Sequence, residues 1–353
     1  MNVVTATEVI LYGLSFLTAL ALVMYVTPLT INVALAFKVQ DAPDGRLKKH
    51  TRATPYLGGL AVAAAFIITF SLLSNEDTAN YKAMGILAAG LMMMLLGLYD
   101  DLSNLRPSVK FLGQVLAAVV LYKAQVRIEL AALSDTANLL VTILWVTGIT
   151  NAFNIIDVMD GLASGTACVA ALFLFVISLL TIGDGDPAMV VPFMALILAG
   201  ALTGFLRFNF APARIFLGDT GSLFIGFMMG ALSMLVSYTG GNRLALFTPM
   251  VLLAIPIFDT LFVAWHRARK GIPFFRGSPD HFALRLTNAG LSVRRTALRT
   301  YGVGVLLGLA SLLLVFGPEW LGPFVLGGVG LGGVVAFVRL SRLPPPGRTG
   351  KAA

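Results

Sequence analysis

NLLVTILWVTGITNAFNIIDVMDGLASGTACVAALFLFVISLLTI occupies residues 138–182. Two apolar runs, 138–150 and about 161–182, enclose the polar segment NAFNIIDVMDG. A helix crossing a bilayer core needs about 20 mostly apolar residues. The second run meets that length, and the first is short of it. Working outward, comparable runs lie at about 8–30, 56–73, 82–98, 111–125, 188–206, 221–238, 245–265, 298–316 and 320–338, with 111–125 again short. The pattern predicts an all-α, polytopic integral membrane protein with about 10–11 transmembrane helices. Residues 1–340 are expected to form one transmembrane domain, and 341–353 a disordered basic tail containing LPPPGRTGKAA. Composition agrees. Only 12% of the 353 residues are charged, where a soluble domain carries about 25%. No internal repeat is evident.

The charges orient the chain. Lys and Arg gather in cytoplasmic segments. With the N-terminus outside and the C-terminus cytoplasmic, only Lys82, Lys123, Arg127 and Arg243 of the 25 basic residues fall outside. The net charge of +8 is then mostly this bias, so nucleic acid is not expected as a partner. The first ten residues hold no Lys or Arg, so the first apolar run is expected to be retained rather than cleaved. The single cysteine, Cys168, forms no intrachain disulfide.

The same topology puts every polar cluster on the cytoplasmic face. Carboxylates near a membrane are expensive and usually functional. In GLYDDLSNLRPSVKFLGQ (97–114), Asp100 and Asp101 end an apolar run. Two acids at a helix C-terminus repel each other and meet the negative end of its dipole. Mg²⁺ or a basic side chain would compensate them, unless this is simply a solvated helix end. Their side chains point about 100° apart, so one can face a site while the other faces a neighbour. Lys110 follows, placed to snorkel at the interface or to bind a phosphate.

In NAFNIIDVMDGLASG (151–165), Asn151, Asn154, Asp157 and Asp160 recur at every third position. On a helix they would form a slowly winding stripe whose adjacent members could share a ligand. Capping explains any one of them but not all four. In FNFAPARIFLGDTGSLFIGF (208–227), Gly218-Asp219-Thr220-Gly221-Ser222 opens a new span. Its free N–H groups would suit phosphate oxygens, and capping alone is the other reading. The loop HRARKGIPFFRGSPDHFALRL (266–286) is the longest and most basic on this face, with His281 its best candidate for a substrate contact. The first loop, DAPDGRLKKHTRATPYLGG (41–59), adds Lys49 and His50 as candidate substrate contacts. Mg²⁺ typically takes one or two carboxylates plus substrate phosphates. Carboxylates, basic groups and a lipid-embedded scaffold together point to phosphoryl transfer between a nucleotide-linked donor and a lipid phosphate.

These blocks, YDD…K, NxxNxxD…DGLA and FxGDxGS, resemble in order and spacing those of the polyprenyl-phosphate N-acetylhexosamine-1-phosphate transferase family, over about residues 41–292. Its relatives include phospho-N-acetylmuramoyl-pentapeptide transferase and the eukaryotic dolichyl-phosphate enzyme. NAFNIIDVMDGL and RKG…SPD look more like the bacterial branch that transfers N-acetylglucosamine-1-phosphate. The resemblance implies a reaction: UDP-sugar and undecaprenyl phosphate give undecaprenyl-diphospho-sugar and UMP, with Mg²⁺, or Mn²⁺ in its place. It implies a multi-pass enzyme of the bacterial inner membrane with a cytoplasmic active site. Such an enzyme initiates cell-envelope polysaccharide synthesis, lipopolysaccharide included, and relatives are often homodimers. By position, Asp219 matches the metal-binding Asp, and Asn154 an Asn near metal and diphosphate. Asp160 matches a contact to the uracil edge, Phe216 an aromatic packed on uracil, and Lys110 a phosphate-binding lysine. Asp100 and Asp101 match the paired acids assigned to the lipid phosphate. Asp157, between Asn154 and Asp160, joins them as a catalytic candidate.

Two departures stand out. Val158 replaces the first Gly of the family's Asp-Gly-x-Asp-Gly, and His281-Phe282-Ala283-Leu284 keeps one His of its HxHH. That loop is where sugar recognition is expected. The same reaction with another UDP-N-acetylhexosamine or with UDP-MurNAc-pentapeptide therefore stays open, as does a non-catalytic homologue. A transporter, whose ionisable groups tend to lie near mid-bilayer between repeats, fits the one-face arrangement poorly.

Overall fold

A computed structural model describes residues 5–41, 54–76, 78–181, 187–273 and 278–344. The chain is almost wholly helical: α1 (Ala6–Ala36), α2 (Gly58–Leu73), α3 (Tyr81–Ser103), α4 (Pro107–Lys123), α5 (Asp135–Ile156), α6 (Leu162–Thr181), α7 (Val190–Asn209), α8 (Gly218–Met234), α9 (Thr248–Leu252), α10 (Ala254–Arg269), α11 (Phe282–Asn288), α12 (Val293–Phe316) and α13 (Gly322–Ser341). Among the described residues the only sheet is a two-residue antiparallel ladder, Gln40–Asp41 against Thr54–Pro55.

Among the described residues eight helices are long and apolar enough to cross a membrane, and the pair α9–α10, bent by 69°, makes a ninth if it is counted as one span. The two remaining apolar runs are α2, with 16 residues, and α4, with 17. At 1.5 Å per residue they reach about 25 Å, just short of a typical hydrocarbon core. Every expected span thus coincides with a helix or with the bent pair. The short run at 138–150 proves to be part of a 22-residue helix. Polar residues at both ends of α5 hide its length in a hydropathy reading, because their partners lie elsewhere in the bundle.

The centre of the bundle is α7 and α8, buried over most of their length, while α13 is almost wholly exposed, as suits a lipid-facing helix. Helix α7 packs between α1 and α6, and α8 between α3 and α5. Close approach requires small residues. A Cβ on Gly97 of α3 would lie 2.4 Å from the Asp219 carbonyl oxygen, so only glycine lets the start of α8 sit against α3. The C-terminal ends of α3, α5 and α7 and the N-terminal ends of α4, α8 and α12 meet at one end of the bundle. The motifs around Asp100, Asn154 and Asp219 gather there.

Candidate active site

At that end lies a cleft of about 550 Å³, bordered by Asp100, Asp101, Asn154, Asp157, Asp160, Phe216 and Asp219 among others. Helix α3 delivers Asp100 in its last turn and ends at Asn104, in the left-handed conformation (φ 53°). Pro107, pre-set for a first helical turn, then starts α4 and brings Lys110 back over the end of α3. The Lys110 Nζ is 2.9 Å from Asp100 Oδ2 and 2.7 Å from Asp219 Oδ2, and donates to Asn154 Oδ1 at 3.3 Å. One ammonium thus joins α3, α5 and α8. Asn154 Nδ2 donates in turn to Asp219 Oδ1 and to Ser222 Oγ, the latter at 2.9 Å. Asp100 Oδ1 accepts from the Leu105 N–H at 2.6 Å.

The winding stripe of four polar residues does not exist as expected. Only Asn151 and Asn154 lie on α5; Asp157 caps its end, and Asp160 belongs to the turn that follows. Asn151 exchanges amide hydrogen bonds with the buried Gln114 of α4 (2.6 and 3.3 Å) and donates to the Thr147 carbonyl at 2.8 Å. This pair lies one turn deeper than Lys110 and Asn154, and it locks α4 to α5 beneath them. Asp157 also borders the cleft. Burial, then the charges of Asp219, Asp101 and Asp160, push its carboxyl up to about 8. Asp160 Oδ2 accepts from the Ala213 N–H at 2.9 Å, tying the 157–161 turn to the segment after α7.

Phe216 reaches the cleft because its backbone is pinned to the chain before α2. Its N–H donates to the Pro55 carbonyl at 2.8 Å, and its carbonyl accepts from Gly58 at 3.0 Å. Val158 keeps a negative φ, since the non-glycine residues with positive φ among those described are Lys38, Asn104 and Gln125. A β-branched side chain is therefore tolerated there, and Val158 packs on the core at the cleft wall.

The first turn of α8 corrects another expectation. Its N–H groups at Asp219 and Thr220 are not free for phosphate, because Asp101 accepts both, at 2.8 and 2.9 Å. His281 does not border the cleft. Its Nδ1 lies 2.8 Å from Asp259 Oδ2, and both side chains are buried. Beside it, buried Asp280 accepts from Lys270, Ser278 and Arg285. Burial alone would raise this carboxyl, but those hydrogen bonds hold it down at about 2. Arg285 also donates to the carbonyls of Leu340, Ser341 and Leu343, closing the end of α13. The expected tail thus begins with held residues, and 345–353 lie outside the described residues, as do Lys49 and His50.

Three cleft-shaping residues escaped the sequence reading. Asn209, at the end of α7, accepts from the Gly161 N–H (3.2 Å) and Ser164 Oγ (2.7 Å) and donates to the Ile215 carbonyl (3.0 Å). From α12, the Tyr301 hydroxyl donates to the Gly161 carbonyl and Arg294 Nε to the Ala211 carbonyl, each at 2.5 Å. The segments carrying Asp160 and Phe216 are braced by these three. An Asn two residues after Arg207, at the end of an apolar helix, was the one available signal.

Among the described residues no three His, Cys, Asp or Glu side chains form a ready-made metal cage. The oxygens around Lys110 nonetheless converge on one cation.

Comparison with known proteins gives the following. Residues 83–237 match the family model for glycosyl transferase family 4. A probable undecaprenyl-phosphate N-acetylglucosaminyl 1-phosphate transferase of Bacillus subtilis is 30% identical over 88% of this chain and 87% of its own length. The decaprenyl-phosphate N-acetylglucosaminephosphotransferase of Mycobacterium tuberculosis is 32% identical over 83% of this chain and 80% of its own. A phospho-N-acetylmuramoyl-pentapeptide-transferase of Desulforudis audaxviator is 31% identical, over 85% and 96% respectively.

Proposed function

The chain belongs to the polyprenyl-phosphate N-acetylhexosamine-1-phosphate transferases of glycosyl transferase family 4, and on that premise we propose that it transfers N-acetylglucosamine-1-phosphate from UDP-N-acetylglucosamine to undecaprenyl phosphate. The products are undecaprenyl-diphospho-N-acetylglucosamine and UMP. The observation that carries this reading is the meeting of Asp100, Asn154 and Asp219, joined by the Lys110 ammonium, at one cleft that Asp160 and Phe216 also border.

An oxygen of the lipid phosphate attacks the β-phosphorus of the donor, and the bond from that phosphorus to the bridging oxygen breaks. The bridging oxygen leaves with UMP. A phosphate monoester is mostly ionised near pH 7, its second pKa being about 6, so no side chain has to take a proton from it. Lys110 here gives its donors to Asp100, Asp219 and Asn154. It would turn one of them to a phosphate oxygen when the substrate and cation engage Asp219, with Asp100 still holding the ammonium. Asp160 and Phe216 offer the uridine an acceptor and an aromatic face across the cleft.

Asp219 and Asn154 are the oxygen donors that would hold Mg²⁺, which takes its other ligands from substrate phosphates and water. Their oxygens now accept from Lys110, a cation that Mg²⁺ would replace there. When bound, Mg²⁺ would offset charge on the diphosphate and on the leaving UMP. We assign this end of the bundle to the cytoplasmic face of a bacterial plasma membrane, on the distribution of basic residues.

Purified protein with undecaprenyl phosphate, Mg²⁺ and a panel of UDP-sugars tests the reading. Release of UMP is expected with UDP-N-acetylglucosamine. Release only with UDP-MurNAc-pentapeptide or another hexosamine would reassign the donor, and no release with any would refute the proposal.

A further inference from the structure

We propose that Asp101 is a positioning residue for Asp219, acting through the first turn of α8 and not on the substrate. The proposal rests on the transferase reading only in taking Asp219 as a metal-binding group.

Helices α1, α3, α5 and α12 each begin with a side-chain cap of their own, from Thr5, Asn80, Ser134 and Ser292. Helix α8, with Leu217 at its N-cap position, has no such cap of its own, and neither do α2, α4, α7, α10 and α13. The cap of α8 comes from α3. Asp101 Oδ1 accepts from the Asp219 N–H at 2.8 Å, and Oδ2 accepts from the Thr220 N–H at 2.9 Å and the Thr220 hydroxyl at 2.6 Å. Three donors therefore occupy its two oxygens, although the side chain borders the cleft. A carboxylate at a helix N-terminus also meets the positive end of the dipole.

The surrounding backbone is built for this contact. Gly218 has φ +73°, and a Cβ there would lie 2.7 Å from Asp101 Oδ2 and 2.6 Å from the Tyr56 carbonyl oxygen. Gly97, one turn before Asp101 on the same face of α3, admits the Asp219 carbonyl. Residues 97 and 101 thus form a seat that fixes the backbone of Asp219 from two sides. Asp100, about 100° around the helix, is left to hold Lys110. The adjacent acids divide the work: one engages the ammonium, and the other sets the position of the carboxylate opposite it.

The test uses full-length Thr220→Val and Asp101→Asn proteins in detergent. Three properties are measured: thermal midpoint, Mn²⁺ affinity of the substrate-free protein by electron paramagnetic resonance, and the Mg²⁺ dependence of UMP release. Thr220→Val removes one hydrogen bond to a charged acceptor, so Mn²⁺ affinity is expected to fall about tenfold. The Mg²⁺ needed for half-maximal rate should rise in step, and more than the rate at saturation falls. Asp101→Asn should move the same quantities further, and Thr220→Val should add little in the Asp101→Asn background. Wild-type Mn²⁺ affinity in Thr220→Val would overturn the proposal. So would a loss of turnover in Asp101→Asn at every Mg²⁺ concentration with metal affinity unchanged. If Asp101→Asn does not fold, Thr220→Val decides alone. If wild-type protein releases no UMP with any donor, the transferase reading fails, while Mn²⁺ affinity still decides the role of Asp101.

Discussion

Replacing Lys110 by methionine keeps the stem of the side chain and removes its charge. In the native protein the ammonium stands 2.9 Å from one carboxylate and 2.7 Å from another, with its side chain 14% exposed. Breaking a buried pair by deleting one partner is destabilising by about 3–5 kcal/mol. Asp219 is a third exposed, so water screens part of the loss and the lower end, about 3 kcal/mol, applies. If the whole of that is felt at the reacting phosphates, kcat/KM falls about 100-fold, since each 1.36 kcal/mol is a factor of ten. Asp100 and Asp219 would also face each other without a counter-ion. Mg²⁺ should therefore raise the thermal midpoint of Lys110→Met more than that of wild type. UMP release gives the first quantity and a melt in detergent with and without Mg²⁺ the second. A variant within about threefold of wild-type kcat/KM, with an unaltered Mg²⁺ effect on melting, would refute this account of Lys110.

Three further outcomes are expected. Because the Asp157 carboxyl is raised to about 8, the metal-free protein keeps that proton through neutral pH and loses stability as pH rises toward 8. Cation binding releases the proton, so Mn²⁺ affinity should climb between pH 6 and 8 in wild type and stay flat in Asp157→Asn; a flat wild-type profile would contradict this. Asn209→Ala removes three hydrogen bonds, to Gly161 of the 157–161 turn, to Ser164 of α6 and to Ile215 beside Phe216, and a buried N–H left unpaired costs about 1–3 kcal/mol. Its KM for the UDP-sugar should rise about tenfold or more with a smaller change in kcat, and an unchanged KM would count against the uridine assignment. For topology, the buried Cys168 leaves a silent background, and Ser103 and Ser134 are exposed at opposite ends of the bundle. A membrane-impermeant thiol reagent should reach Ser134→Cys from outside and Ser103→Cys only after the membrane is opened; the reverse would invert the orientation.

The helices and the central acids were legible in sequence for a simple reason. Apolar runs of spanning length announce helices, and Asp100, Asp219, Asn154 and Lys110 stand out against them. What stayed hidden depends on contacts between distant segments. Asp101 and Thr220 are 119 residues apart, and nothing local marks an acid at the end of one helix as the cap of another. Without that contact, the start of α8 looked like a free anion site. Asn209, Tyr301 and Arg294 look like ordinary residues at helix ends, and their work is done on backbone carbonyls and N–H groups that carry no sequence signal. His281 beside Asp280 suggested a substrate contact. Its partner is Asp259, a lone acid in the apolar stretch of α10 that the sequence reading passed over. The length of α5 was underestimated because Asn151 and Asn154 read as a helix end, while Gln114 and Asp219 satisfy them within the bundle.

In the proposed reaction the sugar leaves its nucleotide together with the β-phosphate. Incubation with UDP-N-acetylglucosamine carrying ³²P at the β-position, undecaprenyl phosphate and Mg²⁺ tests it most directly. The label should pass into the organic phase as undecaprenyl-diphospho-N-acetylglucosamine while unlabelled UMP accumulates in water, and Asp219→Ala should stop both. Label remaining in water as UDP while sugar enters the lipid would mean transfer of the sugar without its phosphate, and would contradict the account.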